Sequence, residues 1–437
     1  MLPTLRTRRF LISASTTTLF LAAFLTAALM STSRSDASNC DGTTVGFTPL
    51  GDLIGGEYQG YPGGLYPGGT NMRPASHEEA GREQAAQVVP RDAAGNPDPV
   101  AGKIGLVTIG MSNTQSESIR FLEETHRDPL KSPQLILVQG AAGGQVAERI
   151  IDPESPYLDY VDQQVATAGL TPQQVQVFWL KEANPGPTEP FPEHAQILSD
   201  QLAIIVRILR DKFPNGRLCF LSSRIYAGYA STGLNPEPYA YESCFSVRWL
   251  IEDQIEGNPA LNYDPERGPV EAPWLSWAAY LWADGLQPRS DGLIWECIDY
   301  LDDGTHPSTS GSLKVANMLL DWIHGDSTTR WYFAAPASVG VEESAGAAVV
   351  ASPNPFRDRV MLTWTAGSAT GSGLVGAAVF DARGRRIRTL RVDARDRGSL
   401  DWNGTTDSGE RVPAGAYWVR WRNTEGESGR TQVLLVR

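Results

Sequence analysis

The sequence is short of positive charge: 37 lysines and arginines stand against 50 aspartates and glutamates in 437 residues, a formal net charge of −13. Binding nucleic-acid phosphates requires a basic surface, so no nucleic-acid partner is expected. Histidine is scarce, with five residues, and no cluster of His, Cys and carboxylates has the spacing of metal ligands. No metal and no other cofactor is therefore expected. Beyond Met30 no apolar run is long enough to cross a bilayer. Cysteine is limited to Cys40, Cys219, Cys244 and Cys297, which in an exported chain permit two disulfides with three pairings, or else buried free thiols. What is not scarce is core-forming material. Hydrophobic residues make up 41% and charged residues 20%, the balance of a chain that folds rather than one disordered throughout.

The length suggests two domains after removal of a leader. Arg6, Arg8 and Arg9 precede an apolar run from about Phe10 to Met30, followed by small residues and a candidate cleavage site at Ser35-Asp36-Ala37. Residues 1–37 read as a signal peptide, with a retained membrane anchor as the alternative. Residues 38–102 have little periodicity and much Gly, Pro and Tyr, as in Tyr58-Gln-Gly-Tyr-Pro-Gly-Gly-Leu-Tyr66. They read as an irregular extension wrapped on the next domain, its tyrosines either packing or lining a cleft.

From Lys103 to residue 334 short apolar runs alternate with amphipathic stretches. Ile104-Gly-Leu-Val-Thr-Ile109, Gln134-Leu-Ile-Leu-Val138, Val175-Gln-Val-Phe-Trp179 and Arg217-Leu-Cys-Phe-Leu221 have the length and content of buried strands. Between them, Leu198, Leu202, Ile205 and Leu209 share one face of a helix spanning about Pro192 to Phe213. Strands separated by helices predict an α/β fold, a parallel sheet covered on both sides in three αβα layers, with ligands beyond the carboxyl ends of the strands.

Two segments at such positions carry chemistry. Ile109-Gly110-Met111-Ser112-Asn113 follows the first strand and would expose a serine hydroxyl at the start of a helix; a plain helix cap is the alternative for Ser112. Asp302-Asp303-Gly304-Thr305-His306-Pro307 precedes a helix over about Ser310 to His324. A serine hydroxyl needs a base, and an imidazole held by a carboxylate supplies one, so Asp303 and His306 are the candidate pair. Taken alone they would read as a turn acid and a solvated loop histidine. Pro273-Trp-Leu-Ser-Trp-Ala-Ala-Tyr-Leu-Trp282 is dense in aromatics and either packs in the core or receives sugar rings or acyl groups. Arg224, after the fourth strand, faces either a polar substrate group or a salt bridge.

The serine after the first strand and the Asp-x-x-His pair near the domain's end resemble the SGNH (GDSL-like) hydrolase superfamily over roughly Lys103 to His324. The resemblance implies a flavodoxin-like sheet, an ester hydrolase with Ser112 as nucleophile, Asp303 and His306 as its base pair, and an oxyanion hole made by Ser112, Gly144 and Asn184. Two departures stand out. Gly110-Met111-Ser112 replaces the family's Gly-Asp-Ser, and Glu182-Ala183-Asn184-Pro185 replaces its Gly-x-Asn-Asp, where Pro185 restricts Asn184. The implied substrate is a small-molecule or carbohydrate ester, an acetyl ester among them. A catalytically silent surface binding or adhesion protein on the same fold is the alternative.

Residues 335–350, rich in Ala, Gly and Ser, read as a linker. Residues 351–437 hold short alternating runs between Gly, Asp and Asn turns, the pattern of a small antiparallel β-sandwich. Ser352-Pro-Asn-Pro-Phe356, Phe380-Asp-Ala-Arg-Gly384, Trp402-Asn-Gly404 and Gly415-Ala-Tyr417 resemble the Ig-like C-terminal sorting module of type IX secretion cargo and the related module of flagellar hook-capping proteins. That resemblance implies the secretion machinery as a partner and a secreted or cell-surface location. A generic carbohydrate-binding or spacer sandwich is the alternative.

Overall fold

In the computed structural model, which describes residues 38–333, 350–354, 356–365, 374–381, 386–390, 397–423 and 428–436, the stretch before residue 103 is more regular than its composition suggests. A short hairpin, β1 (Glu57–Tyr58) and β2 (Tyr61–Pro62), precedes helix α1 (Ala75–Ala86). Helix α1 has no wide apolar face for a periodicity reading to detect; it docks through His77, whose ring stacks on Trp274 at 4.8 Å. The tyrosines of the hairpin pack: Tyr58 donates to Glu242 Oε1 at 2.6 Å, and Tyr61 meets Phe191 edge to face. The expected signal peptide, and the linker apart from Val350, lie outside the described residues.

The four expected strands form, and a fifth joins them: β3 (Ile104–Gly110), β4 (Leu135–Gln139), β5 (Val175–Lys181), β6 (Leu218–Leu221) and β7 (Trp274–Trp277). All pairings are parallel, in the order β4-β3-β5-β6-β7. The aromatic-dense stretch is therefore a strand and its continuation, with Trp274, Trp277 and Trp282 in the core. Every residue of β3, β5, β6 and β7 is buried, as parallel strands covered on both faces must be.

The covering helices are α2 (Ser112–Arg127), α3 (Ala147–Ile150), α4 (Pro156–Thr167), α5 (Glu193–Lys212), α6 (Tyr239–Glu256), α7 (Thr309–Gly325) and α8 (Arg330–Phe333). Helix α2 packs on α7, and α5 on α6. The face of α5 read from its spacing is buried at Leu198, Leu202, Ile205 and Leu209. Each such side chain contributes about 1.5–3 kcal/mol by leaving water. Truncating one, as in Leu202→Ala, costs about 2–5 kcal/mol because the void does not close fully.

The strand order positions the site. From β3 the chain crosses to β4 on one side; from β4 it returns past β3 to β5 on the other. The two crossovers diverge between β3 and β5, leaving a crevice beyond the carboxyl ends of those strands.

Toward the C-terminus, β10 (Leu374–Phe380), β11 (Arg386–Leu390), β13 (Gly415–Asn423) and β14 (Ser428–Leu435) form one antiparallel sheet, and β8 (Val350–Ser352), β9 (Val360–Thr365) and β12 (Arg397–Trp402) another. Both feed one hydrophobic cluster that includes Leu362, Val379, Trp402, Val419 and Leu435. Of the cysteines, Cys40 and Cys297 form a disulfide, while Cys219 and Cys244 are buried free thiols. Among the described residues no helix is long and apolar enough to cross a membrane.

Candidate active site

Strand β3 ends at Gly110, whose φ is +154°. A Cβ there would lie 2.3 Å from the Lys181 carbonyl oxygen and 2.5 Å from Thr114 Oγ1, so only glycine fits this turn. Met111 is extended and serves as the helix cap, which makes Ser112 the first residue of α2. The serine is thus no cap. Its Oγ lies 2.7 Å from His306 Nε2.

His306 sits on the tight loop between Tyr300 and Pro307, which bridge to each other. Asp303 Oδ2 is 2.5 Å from His306 Nδ1, and Asp303 Oδ1 accepts from the backbone N–H groups of Thr305 and His306 at 2.9 and 3.0 Å. A carboxylate only accepts, so Nδ1 carries the proton and Nε2 is left to accept from the Ser112 hydroxyl. Burial pushes the Asp303 carboxyl up, but donation from the His306 N–H, the imidazole and the Thr305 N–H outweighs it and holds the group below the usual carboxylate range. Gly304 takes φ +63°, and a Cβ there would meet the Tyr229 carbonyl oxygen at 1.8 Å.

Ser112 and His306 open onto a cavity of about 360 Å³ that Gly144 and Asn184 also line, with Met111, Val146 and Leu234 as apolar wall. All five residues expected in the site are therefore gathered at one place, four on the cavity and Asp303 behind His306. The Gly143 N–H is taken by Gln115 Oε1 at 3.0 Å, whereas the Gly144 N–H has no partner among the described residues. The Ser112 N–H is a first-turn donor that no helix carbonyl can reach. Asn184 is held at both ends of its amide: Oδ1 accepts from the Glu148 N–H at 3.1 Å, and Nδ2 donates to Gln201 Oε1 at 2.5 Å. A backbone N–H can only donate, which fixes the amide orientation and leaves one Nδ2 hydrogen uncommitted.

Several supports were invisible in the sequence. Asn113 Nδ2 donates to the Thr305 carbonyl at 2.9 Å, and the Thr305 hydroxyl meets that of Thr232 at 2.7 Å. Behind the turn from Gly110 to Ser112, Lys181 and Glu117 form a fully buried ion pair at 2.5 Å. Burial pushes Lys181 down, to about 8, against the pull of Glu117, and pushes Glu117 up against the pull of Lys181. Arg224 meets neither of its two expectations. It is completely buried, it does not line the cavity, and none of its three guanidinium nitrogens has a hydrogen-bond partner among the described residues.

No family model matches the chain, and no curated protein matches it. Solved structures do. A provisional acylhydrolase of Bacteroides fragilis NCTC 9343 is 12% identical, with 57% of this chain and 97% of that one covered and a TM-score of 0.29. The periplasmic domain of a lipopolysaccharide acetyltransferase from Salmonella ser. Paratyphi A is 14% identical over 56% of this chain and 95% of its own, with a TM-score of 0.28. PorZ, an essential surface component of the type IX secretion system of Porphyromonas gingivalis, is 23% identical over 24% of this chain, with a TM-score of 0.17. The chain spans 13% of the length of PorZ and 9% of that of PorU from the same organism.

Proposed function

We propose that the chain is an SGNH-type serine esterase on a flavodoxin-like αβα domain at 103–334, hydrolysing an ester through an acyl-Ser112 intermediate. The observation that carries this reading is the unbroken relay from Ser112 Oγ through His306 to Asp303 Oδ2, at 2.7 and 2.5 Å, on the wall of a cavity.

As Ser112 Oγ attacks the ester carbonyl carbon, its proton passes to His306 Nε2, and Asp303 stabilises the imidazolium that forms. The carbonyl oxygen becomes an oxyanion that accepts from the Ser112 and Gly144 N–H groups and the free Nδ2 hydrogen of Asn184. Collapse breaks the bond to the alcohol, which leaves with the proton from His306. Water then gives a proton to His306 and attacks the acyl carbon; the acid departs and the Ser112 hydroxyl is restored. Residues 1–37 serve as export signal and residues 351–437 as a sorting sandwich engaged by secretion machinery, joined to the catalytic domain by the linker at 335–350. The enzyme then works outside the cell or on its surface.

A fluorophosphonate probe tests this, because it traps the nucleophile of acyl transfer. The adduct should map to Ser112, Ser112→Ala should take none, and Asp303→Asn should slow turnover on the order of 10⁴-fold with the fold intact. If folded wild-type protein takes no probe and cleaves none of a broad ester panel, a surface binding or adhesion protein replaces the hydrolase.

A further inference from the structure

A second cavity, of about 560 Å³, shares a wall with the one that holds Ser112: Glu148 and Arg149 of α3 line both. Its other walls include Gln145, Asp152, Tyr157 and Tyr160. We infer that this second cavity is a saccharide subsite, which binds the sugar of an acylated carbohydrate while the ester reaches Ser112. The inference rests on the esterase reading and gives the sugar of a carbohydrate ester its own place to bind, beside Ser112 rather than on it.

Charge narrows the ligand. Two carboxylates, Glu148 and Asp152, and one guanidinium, Arg149, face the space. An anionic ligand meets two like charges against one opposite. An apolar acyl chain would strip water from all three groups and return no hydrogen bond. A neutral polyol offers hydroxyls that donate to the carboxylates and accept from the guanidinium and from the Gln145 amide.

The tyrosines narrow it further. Tyr157 OH donates to the Gly140 carbonyl at 2.9 Å and Tyr160 OH to Gln139 Oε1 at 3.1 Å, so both hydroxyl protons are committed within the protein. The two rings stack at 6.2 Å with a 25° tilt, and the half-buried Tyr160 lines this cavity. Ring surface beside hydrogen-bonding side chains suits a sugar, which has an apolar C–H face and a polar rim. Arg149 links the two spaces, since its guanidinium donates to the Gly144 carbonyl at 3.0 Å. A sugar held against Arg149 therefore braces the glycine whose N–H faces the oxyanion, and remote binding contributes to the reaction itself.

The test compares O-acetylated cellobiose with 4-nitrophenyl acetate on one preparation, and titrates the protein with cellobiose. Wild-type protein should bind cellobiose and favour the acetylated sugar in kcat/KM. Tyr160→Ala should raise the ratio of the sugar-ester KM to the nitrophenyl-ester KM about tenfold, the loss of one ring contact, and weaken cellobiose binding to match. Tyr160→Phe, which keeps the ring, should restore both; circular dichroism and thermal unfolding report that each variant is folded. Cleavage of nitrophenyl acetate with neither cellobiose binding nor any effect of Tyr160→Ala on the KM ratio overturns the subsite and spares the esterase. Cellobiose binding weakened by Tyr160→Ala in a protein that cleaves no ester overturns the esterase and leaves the saccharide site.

Discussion

Asn113 Nδ2 donates a 2.9 Å hydrogen bond to the carbonyl of Thr305, tying the residue after Ser112 to the residue before His306. Asn113 touches no reacting atom in the proposed mechanism, so its task is to hold the serine and the imidazole at their working separation. A displacement of about 1 Å at such a contact costs on the order of 100-fold in rate. Asn113→Ala should lower kcat by about 10- to 100-fold with little change in KM and a Ser112 that still takes the probe, only more slowly. Unchanged kcat in a folded variant would return the bond to a purely structural role.

The free Nδ2 hydrogen of Asn184 should matter more in the transition state than for the bound ester. Removing one oxyanion donor typically costs on the order of 100- to 1000-fold in kcat. Asn184→Ala should show that loss at nearly constant KM. Gln201→Leu keeps the asparagine but removes the acceptor that orients it, and should give a smaller fall in the same parameter. An Asn184→Ala enzyme with wild-type kcat would leave the oxyanion to Ser112 and Gly144.

The disulfide between Cys40 and Cys297 closes 257 residues of chain and ends two residues before Asp299, whose loop carries Asp303 and His306. A cross-link over so long a loop removes many unfolded conformations and contributes about 2–5 kcal/mol. The Cys40→Ser/Cys297→Ser pair should lower the midpoint of thermal unfolding by several degrees, and reductant should do the same to wild type alone. Equal midpoints with and without reductant would show that the bridge adds nothing to stability.

His77 gives a stability prediction with a definite sign. Its Nε2 donates to the Leu275 carbonyl at 2.8 Å, and burial lowers its pKa from 6.5 to about 4 despite that bond. Between those values the unfolded chain takes a proton that the native chain refuses, so stability rises with pH across the window and is lost on acidification. The loss by pH 4 is on the order of 3 kcal/mol. In urea titrations at pH 7 and pH 4.5, the wild type should lose more stability than His77→Gln. Parallel losses would assign the acid sensitivity to other groups.

The placement of the candidate site was legible where sequence position alone fixes it. A serine two residues beyond β3's end and an acid-histidine pair before α7 lie on a sheet whose strands announce themselves by β-branched content, and α5 announced itself by spacing. Where burial has no period, the signal fails. Helix α6 buries Tyr241, Ser243, Cys244, Phe245, Ser246 and Val247 in near succession, and β7 is half tryptophan. Asn113 and Gln201 were missed for a different reason: their partners are 192 and 17 residues away, and nothing in an isolated asparagine or glutamine says which carbonyl or amide it will meet. The glycines at 110 and 304 were visible as letters, but the carbonyl oxygens that exclude a side chain there come from Lys181 and Tyr229.

The distance along the chain between Ser112 and His306 also has a consequence during synthesis. The two residues are 194 positions apart. At a translation rate of about 5–20 residues per second, roughly 10–40 s pass in which the growing chain has Ser112 and no His306. Cys40 and Cys297 lie further apart still, 257 positions, and Cys297 emerges shortly before the histidine. On the proposed mechanism, hydrolytic competence therefore arrives late and all at once, after nearly the whole of residues 103–334 has been made, and a chain terminated before His306 cannot cleave esters.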